Sequence, residues 1–331
     1  MKSTRSLLPL LLAVLAPLAS GAAPAAAPAD LSRVMPFTDE FTVMAARLDL
    51  GTIDAAAWAS AVLDLLPEQR QTMAEPVQQA QQAVQPWLEE FRKAGGHVVY
   101  LVISLSDLGP EAPAFAVVPL ADNSDPARLA ALLRQTGIHA NLNTTVQQGC
   151  LVAAIEPVLE RIRALKPADL GHLESAFAAA RPGVLQAALL PYQDAGRIIE
   201  ELMPALPSML GGGSSSTLTR GLQWATLSIQ QPPEWSVELA IRSTTAADAE
   251  ALHQWLVRVW TAWGSIDEIK SHLPRWDELG AALEPAVDGD TLRIRLDRTQ
   301  IGELVRTIML PVLQESKNKA AQAMILNKPT P

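Results

Sequence analysis

The strongest constraint on this chain is internal: the same kinds of segment recur in the same order in its two halves. Each half opens on an apolar strand and a helix, "FTVMAARLDL" with "DAAAWASAVLDLLP" in the first and "VLQAALLPYQ" with "AGRIIEELMPALP" in the second. Two strands joined by a short proline-containing turn follow, then a helix: "HVVYLVISL", "AFAVVPLA" and "DPARLAALLRQTG" match "LQWATLSIQ", "EWSVELAIRS" and "TAADAEALHQWLVRVW". The turns "SDLGPEAP" and "QPP" are breakers suited to a hairpin. Asp125 before Pro126 predicts a helix cap with proline at the first helical position, and Thr245 caps the second copy. A second strand pair and a closing helix complete each half, through "TTVQQG", "CLVAAIE" and "PVLERIRAL" and through "AALEPAVDGD", "TLRIRLD" and "TQIGELVRTIMLPVL". The pairing is one of pattern, not identity.

The unit therefore reads β-α-β-β-α-β-β-α, twice, over residues 37–180 and 181–314, with the boundary near Ala178 to Gly183. Hairpins outnumber crossovers, which predicts an α+β fold of mainly antiparallel sheets with helices packed on one face. Asp288-Gly289 is a two-residue hairpin signal. "TLRIRLD" places Leu292, Ile294 and Leu296 on one side and Arg293, Arg295 and Asp297 on the other, so one face of that sheet meets water. Two insertions break the symmetry: a polar helix, "EPVQQAQQAVQPWLEEFRKAG", in the first half and "GSIDEIKSHLPRWDELG" in the second. "GGGSSS", Gly211 to Ser216, falls between the first helix and first hairpin of the second half. It lacks the lysine of a phosphate-binding loop and leads toward a strand, which predicts a surface loop whose shortening changes stability little.

Lys2 and Arg5 precede an apolar run from Leu7 to Leu18 and then small residues, the layout of a secretory signal peptide over residues 1–23, cleaved after Gly21 or Ala23. Residues 24–36 read as a disordered spacer and 315–331 as a C-terminal tail. Such a chain is exported, periplasmic or extracellular, and carries no transmembrane anchor once the signal is removed, since no other stretch reaches the roughly 18 apolar residues of a spanning helix. Cleavage takes away two of the 26 basic side chains and none of the 35 acidic ones, so the formal charge moves from −9 to −11. That balance repels phosphate backbones, and no nucleic-acid partner is expected. The single cysteine, Cys150, cannot form an internal disulfide; opening the apolar run "CLVAAI", it reads as a small core residue.

No chemical motif stands out. The five histidines show no pair at i, i+3 or i+4, and HExxH, CxxC and DxDxDG are absent, so neither a metal site nor a cofactor is expected. His272, with Asp267, Glu268, Asp277 and Glu278, is the densest titratable cluster, best read as a solvated charged loop. Asp49, Glu156 and Asp297 at strand ends are the carboxylates to consider for glycoside chemistry, though helix capping explains Glu156 and Asp297 better. Six of the eight tryptophans fall in the second half between Trp224 and Trp276. Trp235, Trp255 and Trp263 share parity or helical stripe with core aliphatics. Trp260 lies off that stripe and Trp276 in an insertion, which makes these two the candidates for contact with a ligand or partner.

The signal peptide, the strand ending in "RLDLGTID" before a Trp-containing helix, and "FAVVPL" before a Leu-rich helix resemble uncharacterised exported bacterial proteins of the planctomycete kind. That family carries no assigned activity, so the resemblance implies no functional residue. The reading that follows is an exported, non-catalytic binding or interaction protein for an unknown protein or small-molecule ligand. The alternatives are a secreted hydrolase using Asp49, Glu156, Asp297 or His272, and an assembly subunit with Trp260 and Trp276 at an interface.

Overall fold

The computed structural model describes residues 30–107, 114–136, 141–168, 170–192, 194–231, 234–273 and 275–307. The signal peptide, the C-terminal tail and most of the two turns "SDLGPEAP" and "QPP" lie outside the described residues. Ten strands form one open antiparallel sheet: β1 (Thr42–Asp49), β2 (Val98–Ser104), β3 (Phe115–Pro119), β4 (Asn143–Gln147), β5 (Cys150–Ala154), β6 (Leu185–Leu189), β7 (Trp224–Gln230), β8 (Ser236–Arg242), β9 (Ala286–Asp288) and β10 (Thr291–Asp297). Their order is β4-β5-β3-β2-β1-β6-β7-β8-β10-β9. Read outward from the central pair, the left arm runs 1-2-3-5-4 and the right arm 6-7-8-10-9, the same sequence of places.

The arms meet because the opening strand of each half pairs with that of the other, from Met44↔Leu189 to Leu48↔Leu185. This pairing leaves neither strand as an open edge, which an isolated half would have to protect. Both outermost hairpins close with two residues. Gln148 and Gly149 stand at φ 49° and 71° between Gln147 and Cys150, and Gly289, at φ 59°, begins the turn between Asp288 and Thr291. Positive φ in such turns matches the twist of the flanking strands.

The helices among the described residues are α1 (Ala55–Leu65), α2 (Arg70–Lys93), α3 (Pro126–Gln135), α4 (Glu156–Ala164), α5 (Gly171–Ala179), α6 (Ala195–Leu202), α7 (Ser216–Gly221), α8 (Ala246–Gly264), α9 (Asp267–His272), α10 (Trp276–Leu283) and α11 (298–307). Asp125 and Thr245 cap α3 and α8 as expected, accepting from the backbone N–H of Arg128 and Asp248.

Helices cover both faces, not one. On the back face of the left arm, Val99, Val118 and Leu151 pack under α2 and α3 through Leu88, Phe91, Leu129 and Leu133. On the front face, Ala45, Val102, Phe115 and Val152 pack under α4 and α5 through Leu159, Ile162, Leu173 and Phe177. The left-arm strands are therefore apolar on both sides, and since α5 also covers the front of β6 and β7, the single-face expectation, drawn from the alternation of "TLRIRLD", describes only the outer strands β8, β10 and β9. There the back face packs against α1, α8 and α11 through Trp58, Leu65, Leu252 and Ile301. Residues 31–36 of the expected spacer are also ordered: two 3-10 turns bury Leu31 and Val34 in the front core of the left arm.

"GGGSSS" departs from its reading as a free surface loop leading to a strand. Gly211, Gly212 and Gly213 all adopt positive φ, Ser215 is buried, and Ser216 opens α7. The preceding turn docks on α8, whose Trp255 and Trp263 donate indole N–H bonds of 2.8 and 2.9 Å to the carbonyls of Leu210 and Met209. A side chain on Gly211 would stand 2.9 Å from Cγ2 of Val259, whereas one on Gly212 would meet nothing within 4 Å. Both positions carry the left-handed penalty of about 1 kcal/mol, but only Gly211 adds overpacking. Urea unfolding should therefore show Gly211→Ala destabilising by about 2–3 kcal/mol and Gly212→Ala by about 1 kcal/mol; equal losses would mean that the loop does not pack on α8.

Candidate functional site

Six strands, from β2 across the seam into the right arm, place polar side chains in one line across the front face. Arg47 on β1 stands opposite Tyr100 on β2 and Gln186 on β6; Gln186 faces Ser228 on β7, Ser228 faces Glu238 on β8, and Glu238 faces Arg295 on β10. Side chains directly opposite in an antiparallel pair lie about 5 Å apart, so the register itself builds a continuous row. All but Arg295 are at least 95% buried. Burial of so many polar groups demands partners, since an unpaired buried charge is costly.

Two ion-pair groups supply them. At the seam, Nη2 of Arg47 donates to Oδ2 of Asp49 at 2.8 Å, and Nη1 approaches the carbonyl of Gly183 and Oε1 of Gln186 at 3.4 and 3.5 Å. Both partners are almost wholly enclosed, at 4% and 9% side-chain exposure. In the right arm, Glu238 takes a bond of 3.0 Å from Nη1 of Arg293 on one oxygen and bonds of 3.0 and 2.6 Å from Nε and Nη2 of Arg295 on the other. Here the carboxylate is buried while the guanidinium groups reach water. Arg242 and Asp290 form a further ion pair beside them, and Asp288 projects into solvent. The front face of β8, β10 and β9 is thus a charged, solvent-facing surface, whereas α5 crosses β6 and β7 beside it. The Tyr100 hydroxyl donates to the Asp30 carbonyl at 2.8 Å, and burial raises its pKa above 10.

The residues named from the sequence do not come together. β5 runs opposite to β1 and β10 runs with it, so Glu156 lies at the other end of the sheet from Asp49 and Asp297. Asp49 and Asp297 share an end but stand four strand spacings apart, about 19 Å, far beyond the separation of paired glycosidase carboxylates. Asp49 is the partner of Arg47. Asp297 forms a reciprocal capping box with Gln300 at the start of α11, with bonds of 2.9 and 3.0 Å. Glu156 is the first residue of α4 and not its cap; it accepts from Arg163 and Asn143. His272 ends α9, in the inserted segment.

The tryptophans also change roles. Trp260 stacks on Trp276 with ring centroids 4.1 Å apart, Trp276 is buried, and its indole N–H donates to the carbonyl of Trp260. Gly264 and Gly280 leave the room these rings occupy. The pair fastens α10 to α8 instead of presenting a surface, because the insertion folds back over the face of α8 that the helical projection left open. Trp263, placed with the core, is 41% exposed. Cys150 is fully buried, and burial raises its thiol pKa.

Compared with family models, curated proteins and solved structures, the chain matches none. Among the described residues no helix is long and apolar enough to cross a membrane. The polar row itself was missed in the sequence, although Arg47 within "VMAARLDL" and Glu238 within "SVELAIR" were visible as charges interrupting apolar strands. What the sequence did not display was the register that aligns them.

Asp49→Asn should destabilise the protein by about 3–5 kcal/mol in urea unfolding, because it leaves Arg47 charged and enclosed. Glu238→Gln should cost less, about 1–2 kcal/mol, since the arginines it releases are already in contact with water. Tyr100 is neutral when folded, so its contribution is intact below pH 10 and declines as the unfolded phenol ionises above it. A plot of stability against pH should fall less steeply above pH 10 in Tyr100→Phe than in the wild type.

Proposed function

We propose that this chain is an exported, non-catalytic binding or interaction protein built from two copies of one β-α-β-β-α-β-β-α unit, and that it meets its ligand on the charged front face of β8, β10 and β9. The duplication is supported by the matching strand order of the two arms and by two-residue hairpins at matching places. One observation carries the assignment of the surface. Counting outward from the β1·β6 seam, Gln186, Ser228 and Glu238 take the places of Ala45, Val102 and Phe115. The apolar row lies under α4, which follows β5; α11, which follows β10, packs on the back face instead.

A face with Arg242, Arg293 and Arg295 reaching water beside Asp288 and Asp290 suits a protein or small molecule that itself carries charged groups, since complementary charges fix orientation and reject wrong partners. Export and the envelope location rest on the signal-peptide layout and the resemblance given above.

The test is affinity capture from the source envelope with the mature chain and with Asp288→Lys/Arg295→Gln, whose altered side chains are mostly exposed. A ligand recovered by the wild type should bind the variant about tenfold more weakly, ~1.4 kcal/mol. Equal recovery would move the site elsewhere, and hydrolysis of an envelope polymer that Asp49→Asn or Glu156→Gln abolishes without unfolding would overturn the non-catalytic reading.

A further inference from the structure

α6 is the one helix of eight residues or more, among the described residues, in which no residue is buried. Its inner side faces α7: the Thr219 hydroxyl donates to Glu200, and a side chain on Gly196 would meet Cβ of Thr219 at 3.5 Å. At 100° per residue, Ile198 and Leu202 lie about 160° away from Glu200 on either side of the opposite pole. They form an i, i+4 apolar pair that is 41% and 81% exposed. One flank of this pair carries Arg197 and Glu201, both mostly exposed and bonded to each other at 3.1 Å.

We propose that this outer face of α6 pairs with α6 of a second copy of the chain, antiparallel about a two-fold axis. The charge pattern selects that occupant. A two-fold axis between antiparallel helices brings the same flank of each helix together with its direction reversed, so Arg197 of one copy meets Glu201 of the other, and Glu201 meets Arg197. The apolar pair then packs against its own image between two identical ion pairs, as an isologous contact requires. A parallel two-fold would instead set this flank against the other flank of the partner helix, which carries Ala195 and Ile199 and no charge, so neither ion pair would form.

The contact is small. Each helix is about 12 Å long, so the buried area falls short of the roughly 1,200 Å² of a standard stable interface. The dimer is therefore a weak one, formed at high local concentration, and it leaves the charged front face of β8, β10 and β9 to act independently.

Sedimentation velocity of the mature chain from micromolar to near-millimolar concentration tests this. A reversible monomer–dimer equilibrium is expected. Leu202→Glu should abolish it, and Arg197→Glu or Glu201→Arg alone should weaken it about tenfold, since each sets like charges together. Arg197→Glu/Glu201→Arg should restore it, a rescue that damage to the helix could not produce; all three positions changed in these variants are exposed, and circular dichroism checks the fold. A monomer at every concentration, a dimer indifferent to Leu202→Glu, or a double variant no tighter than the single ones would overturn the proposal.

Discussion

The rest of the fold depends on the antiparallel pairing of β1 with β6. It converts two five-stranded arms into one sheet and sets the register of everything outside it, because each arm is paired outward strand by strand from this seam. Arg47 lies in the seam opposite Gln186, with Asp49 two residues on. A slip of one residue would turn Arg47, and Asp49 with it, toward the back face and away from Gln186 and the Gly183 carbonyl, leaving both charges among apolar side chains. Its buried ion pair contributes specificity of register where the four small and aliphatic cross-strand pairs beside it would distinguish poorly between neighbouring alignments.

From that seam the two arms diverge in what covers them. The left arm is apolar on both sides and is enclosed by helices on both. The right arm has Ala188 and Trp224 under α5 on its front, but its outer strands are apolar only on the back, where α1 crosses from the first half to share a core with Ile229, Trp235 and Leu296. That shared core ties the halves together a second time. The insertion between α8 and β9 then adds the Trp260–Trp276 stack to the outside of the back layer.

Much of this architecture was legible because it is written in local chemistry. Strand alternation, the Asp125-Pro126 and Thr245 caps and the glycine turn at Gly289 each act over a few residues, and each appears in the structure. What was not legible depends on contacts distant in sequence. Nine residues beginning at Gly171, without a side-chain cap, gave too weak a local signal to announce α5. "GGGSSS" looked free because its partners, Trp255, Val259 and Trp263, lie some 45 residues away. Trp260 projected off the apolar stripe of α8 correctly, but the ring that covers it arrives from α10. The joining of two predicted sheets into one left no mark in either half.

The charged row calls for an explanation beyond folding. Replacing buried ion pairs by well-packed apolar groups is often neutral or stabilising, and the left arm contains that arrangement at the matching places, with Val102 and Phe115 under α4. Glu238, held 5% exposed by two arginines, is the more demanding solution to the same structural problem. Stability alone gives no reason for the right arm to use it. Its consequence, however, is direct: an apolar helix cannot settle on Arg293 and Arg295, α11 packs on the opposite face, and three strands keep a rigid, ordered array of charges open to solvent. Side chains fixed by their own ion pairs lose little freedom when a partner arrives, which is the physical advantage of preorganisation in binding. A buried acid anchoring two exposed arginines gives up packing for a fixed, solvent-facing charge, and it is on that arrangement that the proposed binding surface rests.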